Sequence, residues 1–198
     1  MTDAPKGQQW KTLDTDLHRI SRVEQAATYA ARPMVGFGIA LAFIVFAALS
    51  AGIFLGYSSS NYVVIAAAAF GAYMAVNIGA NDVANNMGPA VGAKALSMGG
   101  AILIAAICES AGALLAGGDV VSTISKGIID PTSVADAQVF IWAMMAALIS
   151  SALWVNLATW VGAPVSTTHS VVGGVLGAGI AAAGLSAVNW PSMGMIAA

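Results

Sequence analysis

The run from Met34 to Leu55 contains no charged residue, and it is followed by four further apolar runs, at Tyr62–Val76, Ala95–Ala116, Gln138–Trp160 and Val171–Ala187. A stretch of about 20 apolar residues is long enough to cross the hydrocarbon core as a helix. A lone span of that kind must be helical, because a helix satisfies its own backbone N–H and C=O groups where no water is available. Five such runs in 198 residues leave little room for anything but an all-α membrane protein with about five transmembrane helices. Composition agrees: 8% of residues are charged, against about 25% in a soluble domain. The formal net charge is −2, and no nucleic-acid partner is expected. The lone cysteine, Cys108, excludes a disulfide framework, and two histidines as far apart as His18 and His169 offer no metal centre.

The basic residues are unevenly placed. Lys6, Lys11, Arg19, Arg22 and Arg32 precede the first run, whereas only Lys94 and Lys126 follow it. The positive-inside rule then puts the N-terminus in the cytoplasm, giving a multi-pass protein of the inner (plasma) membrane. Residues 1–33 form a polar N-terminal segment in which Trp10, Leu13, Leu17 and Ile20 recur at helical spacing. That pattern fits an amphipathic helix on the inner leaflet or a solvated tail. Residues 34–198 form the transmembrane domain.

Two polar interruptions carry the chemistry. "GANDVANNMG" (79–88) places an aspartate and three asparagines between apolar runs. Gly79 can end the incoming helix, Asn81 or Asp82 can cap a new one, and Gly88-Pro89 can break the backbone again. Asp82, Asn85 and Asn86 share roughly one face through their three- and four-residue spacings. A carboxylate with amide oxygens suits Na⁺, the only metal ion expected, and Asp82 can instead carry a proton. The alternative is a polar connector at the membrane surface.

"PVSTTHS" (164–170) is complementary. Pro164 interrupts a helix, and Ser166 or Thr167 can cap the next. Free N–H groups of that first turn, beside the hydroxyls of Ser166, Thr167 and Thr168, would make an anion cradle at the positive end of the helix dipole, with His169 as a further donor. The alternative is hydroxyl back-bonding within a kinked helix. Two broken-helix or re-entrant motifs in one membrane chain are the mark of a secondary transporter. Glu109, mid-run in "AAICESAGALL", is a third intramembrane ionisable group and a candidate by default. A reading from another class is an intramembrane serine hydrolase, with Ser166 as nucleophile, His169 as base and Asp82 as its orienter.

"GANDVANNMGPAVGAKAL" and "GAPVSTTHSVVGGVLGAG" resemble the two signature stretches of the PiT inorganic phosphate transporters. "CESAGALLAGGDVVSTISKGIID" (108–130) resembles the segment between them. The resemblance implies phosphate symport with Na⁺ or H⁺ and no cofactor beyond the coupling ion; sulfate and metal–phosphate carriers of the same family are the alternatives. It implies that Asn81, Asp82 and Asn85 are cation- and phosphate-site residues. Asn86 joins the cation site by its position, and Ser166, Thr167 and Thr168 become phosphate ligands. Gly79 and His169 support the motifs, and Glu109 matches a glutamate used in transport. Lys94 departs from the family pattern, which has a small or polar residue there. The family also contains two inverted repeats, each with both motif types, and this chain has one of each. The chain is therefore expected to be one half of an inverted-repeat transporter. Its expected partners are inorganic phosphate, lipid, a C-terminal inverted repeat in the same longer chain or as a separate half, and, as a further arrangement, copies of itself.

Overall fold

The computed structural model describes residues 6–56, 58, 61–134 and 136–197. They form α1 (Lys6–Leu55), α2 (Tyr62–Gly92), α3 (Met98–Lys126), α4 (Ala137–Trp160), α5 (Thr167–Ala183) and α6 (Trp190–Ala197), with 3-10 turns at Pro131–Ser133 and Leu185–Ala187. Among the described residues there is no strand, only an isolated bridge between Ile129 and Val188. The all-α expectation holds. Four helices are long and apolar enough to cross a membrane: Met34–Leu55, Tyr62–Gly92, Met98–Ile124 and Ala137–Trp160. The expected fifth span, α5, has 17 residues. At about 1.5 Å per residue it falls just short of a core about 30 Å thick.

The chain divides into two compact units, Met1–Val45 and Phe46–Ala198. In the first, the described backbone is helical from Lys6. Of the amphipathic face expected there, Leu17 and Ile20 are exposed, and the side chains of Trp10 and Leu13 lie outside the described residues. The site lies in the second unit. There α1 ends at Gly56, whose φ of 77° suits the left-handed residue that closes a helix, and its N–H reaches the Gly52 carbonyl at 2.8 Å. The Asn61 amide donates to the carbonyls of Leu55 and Gly56 at 2.6 and 3.0 Å.

The first interruption is not a break. Helix α2 runs unbroken through residues 79–88 and past Pro89 to Gly92. The polar side chains that seemed poised to end it bond along and between helices instead, so they do not compete with its backbone. Pro89 removes one helical hydrogen bond. The clash that proline imposes on its predecessor is eased because that predecessor, Gly88, has no Cβ. The end comes at Lys94, with φ 60°. Its N–H reaches the Val91 carbonyl, and the Ala95 N–H reaches the Ala90 carbonyl, at 3.0 and 2.9 Å. This is a Schellman closure with lysine where glycine is usual.

Residues 117–137 are more polar than the runs on either side, a pattern that fits a loop with or without a short helix, and the structure differs there too. Helix α3 continues to Lys126, and Thr123 turns its hydroxyl inward to the Asp119 carbonyl at 2.9 Å. The segment that follows is buried in part: Ile128, Ile129 and Val134 are buried, while residues 130–133 and Asp136 are exposed. Ile128 and Ile129 are fully buried, in a cluster with Val134, Ala147, Val172, Val175, Ala187 and Val188. Asp130 closes the turn by accepting from the Thr132 hydroxyl and amide at 2.7 and 2.9 Å. Those two bonds, the hydroxyl's first, hold its carboxyl below the usual aspartate value.

Helices α4 and α5 are antiparallel. The Ser151 hydroxyl donates to the Ser170 carbonyl at 2.9 Å, and Gly174 faces Ser151 and Ala147 so closely that a Cβ there would meet both. Helix α2 packs on α4 through Met74, Ala152 and Val155. This three-helix group positions the site.

Candidate functional site

The second interruption is a true break. Helix α4 stops at Trp160, residues 163–166 lie outside any helix with Ser166 extended, and α5 begins at Thr167. Ser166 is the N-cap, and its hydroxyl accepts from the His169 N–H at 3.3 Å. The Ser170 N–H takes the Ser166 carbonyl at 3.0 Å. The N–H groups of Thr167 and Thr168 thus lie ahead of the first intrahelical bond, at the positive end of the helix dipole. The His169 ring is held by Ser166, with Nδ1 2.6 Å from the hydroxyl oxygen.

The two interruptions meet. The hydroxyl of Thr167, a buried residue, donates to Asp82 Oδ2 at 2.6 Å across 85 positions of sequence. The short distance fits a charge-assisted bond to a carboxylate. His169 bonds Ser166 and Asp82 bonds Thr167; no hydrogen bond joins Asp82 to His169, as a hydrolase triad of Ser166, His169 and Asp82 would require.

The asparagine motif is divided between two rows of α2. Asp82 and Asn86 are one turn apart, and Asp82 meets α5. The other row, Asn77, Asn81 and Asn85, is directed to α4 and its outgoing turn. Asn156 donates from its amide to Asn77 Oδ1 at 2.9 Å. Asn77 in turn donates to the Tyr73 carbonyl at 2.8 Å. Asn81 donates to Thr159 Oγ1 at 3.0 Å, and Asn85 donates to Asn81 Oδ1 at 2.8 Å. The sequence reading grouped Asp82, Asn85 and Asn86 roughly on one face, and on the continuous helix the three span an arc of about 100°; Asn85, at the edge of that arc, bonds Asn81 one turn before it. Next to Asn81 and Asn85 lies a cleft of about 220 Å³, lined also by Ala80, Ala84, Thr159, Gly162, Ala163 and Pro164.

The remaining candidates are more open. Ser166, Thr168, His169, Asn85 and Asn86 are exposed, and Asp82 is half-buried. Gly79 sits mid-helix on an apolar groove of about 680 Å³ between α2 and the start of α3; it ends no helix. Glu109 is exposed on α3, and no hydrogen bond joins it to the other candidates among the described residues. Lys94 is exposed at the turn after α2 and pairs with neither Asp82 nor Glu109. Sequence reasoning missed Asn77, Asn156 and Thr159. Their signal was available: Asn77 stands one turn before Asn81, and Asn156 and Thr159 are three apart in a largely apolar run.

Comparison with known proteins adds an independent line. A family model described as the phosphate transporter family matches residues 78–198. Two similar proteins carry the name "putative phosphate permease". One, from Helicobacter pylori strain J99, is 55% identical over 175 residues, which is 88% of this chain and 33% of that protein. The other, from Pyrococcus abyssi, is 48% identical over 126 residues, 64% of this chain and 31% of that protein. A solved structure described as "The sodium-dependent phosphate transporter" is 44% identical and superposes with a TM-score of 0.64, covering 68% of this chain and 34% of that one. The chain spans about a third of the length of these relatives.

Proposed function

The chain belongs to the phosphate transporter family, a family of transporters and not of hydrolases, and from that premise we propose that it supplies the phosphate and cation machinery of one repeat in a secondary phosphate transporter. The protein sits in the cytoplasmic membrane with its N-terminus inside. An inverted partner repeat completes the permeation path, and access alternates as the two repeats move against each other. The first turn of α5, with Ser166, Thr167 and Thr168, cradles the anion. Asp82 receives the coupling cation, with Asn86 one turn beyond it, while Asn81 and Asn85 line the adjoining cleft. Glu109 acts on the cycle from α3.

The observation that carries this reading is the 2.6 Å hydrogen bond from Thr167 to Asp82. It puts a carboxylate against the hydroxyl and amide donors that would receive phosphate. Two anions so close repel. At about 5 Å and an effective dielectric near 20, the repulsion is about 3 kcal/mol for each charge on the phosphate. A cation at Asp82, or a proton on it, removes that penalty, so the anion binds well only when the cation is present. This is coupling in its simplest form. The membrane potential adds a second demand: moving a dianion into an inside-negative cell costs about 4.6 kcal/mol per 100 mV, which co-transported cations must offset. Na⁺ is the favoured coupling ion, because the similar solved structure is described as sodium-dependent.

The test is radiolabelled phosphate uptake by the complete transporter in proteoliposomes, with Na⁺ and proton gradients imposed separately. Wild-type uptake should follow the Na⁺ gradient. Asp82→Asn should abolish the cation-dependent part while leaving membrane insertion intact. Wild-type rates in that variant would remove Asp82 from the mechanism.

A further inference from the structure

We propose that the apolar groove between α2 and the start of α3 holds one acyl chain of an anionic phospholipid, whose headgroup phosphate pairs with Lys94. The inference rests on the membrane orientation proposed above and not on how transport is coupled. It concerns a different face of α2 from the transport site, because neither Asp82 nor any asparagine lines the groove.

The shape comes first. The groove has a volume of about 680 Å³, and its walls include Gly79, Val83, Met87 and Val91 from α2 and Met98 and Ile102 from α3. No polar or charged side chain lines it, and Met98 and Ile102 are exposed along its edge. It follows α2 from Gly79 to Gly92, about 20 Å at 1.5 Å per residue. One leaflet is half of a hydrocarbon core of about 30 Å, or about 15 Å. A single chain from one leaflet therefore fits along the groove. Helix α2 has 31 residues and is about 46 Å long. That is as long as the core with both headgroup layers, so the residues just past Gly92 stand at headgroup level.

The charge then selects the lipid. Gly92 and Met98, which line the end of the groove, flank the turn in which Lys94 stands. Lys94 is the only charged residue between Asp82 and Glu109. It is exposed, and no ion pair holds it among the described residues. The same turn leads into α3, where Ser97 accepts from the Gly100 N–H at 3.2 Å and the Ala101 N–H reaches the Ser97 carbonyl at 2.9 Å. The N–H groups of Met98 and Gly99 lie ahead of those bonds and add to the positive character of this end. A helix of the partner repeat would fill the groove but give Lys94 no counter-charge. A phospholipid supplies both parts at once, an apolar chain for the groove and a phosphate for the ammonium. With the N-terminus in the cytoplasm, α2 runs inward and Lys94 meets the cytoplasmic leaflet, the one whose surface is made negative by anionic lipids.

The experiment equilibrates the complete transporter in vesicles of equal parts phosphatidylglycerol and phosphatidylcholine with the same acyl chains. The protein is then extracted in mild detergent, and the lipids that stay bound are counted by native mass spectrometry. Wild type should retain phosphatidylglycerol in preference to phosphatidylcholine. Lys94→Gln removes the charge and should lower that preference about fivefold, whereas Lys94→Arg should behave as wild type. Val91→Trp fills the groove and should reduce retention of both lipids; if it does not insert, Ile102→Trp does the same from the opposite wall. Both losses are required. A loss on Lys94→Gln alone would mean surface attraction without the groove, and a loss on the tryptophan variant alone would mean a chain without the phosphate contact; either result overturns the inference. So does wild-type protein that retains no lipid, the result expected if a helix of the partner repeat covers the groove. Retention is read with no ion gradient and no phosphate, so a protein that transports phosphate but keeps no lipid overturns this inference alone.

Discussion

At the scale of single residues, Lys94 is the one local choice that works against its own backbone. It is the only described residue other than glycine at positive φ, and an L side chain in that region costs about 1–2 kcal/mol. Nothing offsets this, because the side chain is exposed and unpaired. Lys94→Gly should therefore stabilise the turn after α2 by about 0.5–1 kcal/mol, the gain trimmed by glycine's greater freedom in the unfolded chain. The measurement is the apparent thermal unfolding midpoint of the purified transporter in detergent. A lower midpoint would show that the lysine makes a contribution its position does not reveal. Residues like this could not be judged from sequence, since a left-handed lysine looks the same as any other. Ser166 was readable, because a hydroxyl residue directly before a helical run announces a cap. Asp82 and Thr167 were readable as candidates but not as partners: no periodicity connects positions 85 apart. Asn156 and Thr159 were readable only as a pair, through their three-residue spacing, since each alone is a single polar residue between apolar neighbours.

At the scale of helices, the contact between α4 and α5 depends on the lack of a side chain. A Cβ on Gly174 would run into Ser151 Oγ and stand 2.8 Å from the Ala147 carbonyl oxygen, whereas one on the adjacent Gly173 would meet nothing within 4 Å. Small residues let helices approach closely in lipid, where packing and hydrogen bonds replace the hydrophobic drive. Gly174→Ala should push α5 off α4, strain the Ser151–Ser170 bond and cost about 1–3 kcal/mol. Gly173→Ala should be neutral or stabilising by up to about 1 kcal/mol through helix propensity. Paired unfolding midpoints check this, and equal effects would mean that the close contact does not hold the hairpin together. The sequence showed α5 as Gly-rich without showing which glycine the packing requires. It also suggested a break in α2 that did not occur. Glycine, asparagine and proline are statistical helix-breakers, but here the asparagines bond to a neighbouring helix and Gly88 makes room for Pro89. Tertiary partners decided the matter, and those lie outside any local window.

At the scale of the whole molecule, the inverted partner repeat proposed above has two conceivable sources for a chain that spans about a third of the length of its relatives. An inverted repeat can come from further sequence on the same chain or from a second copy inserted the other way up. The second route requires the chain to insert in both orientations with similar frequency. Its charges oppose that: five basic residues precede Met34, namely Lys6, Lys11, Arg19, Arg22 and Arg32, against Lys94 and Lys126 after it. Arg19, Arg22 and Arg32 fall within about 15–20 residues of the first span, the range over which the positive-inside rule acts. A single orientation, N-terminus in the cytoplasm, is the expected outcome, and with it an inverted repeat encoded elsewhere rather than by this sequence read upside down. A reporter that is active only in the cytoplasm, fused at the N-terminus, should be fully active, while an exported reporter at the same position should be silent. Neutralising Arg19, Arg22 and Arg32 together should make both reporters partly active. Comparable activity of both on the unaltered chain would establish dual insertion, and an antiparallel pair of copies would then be the way the site is completed.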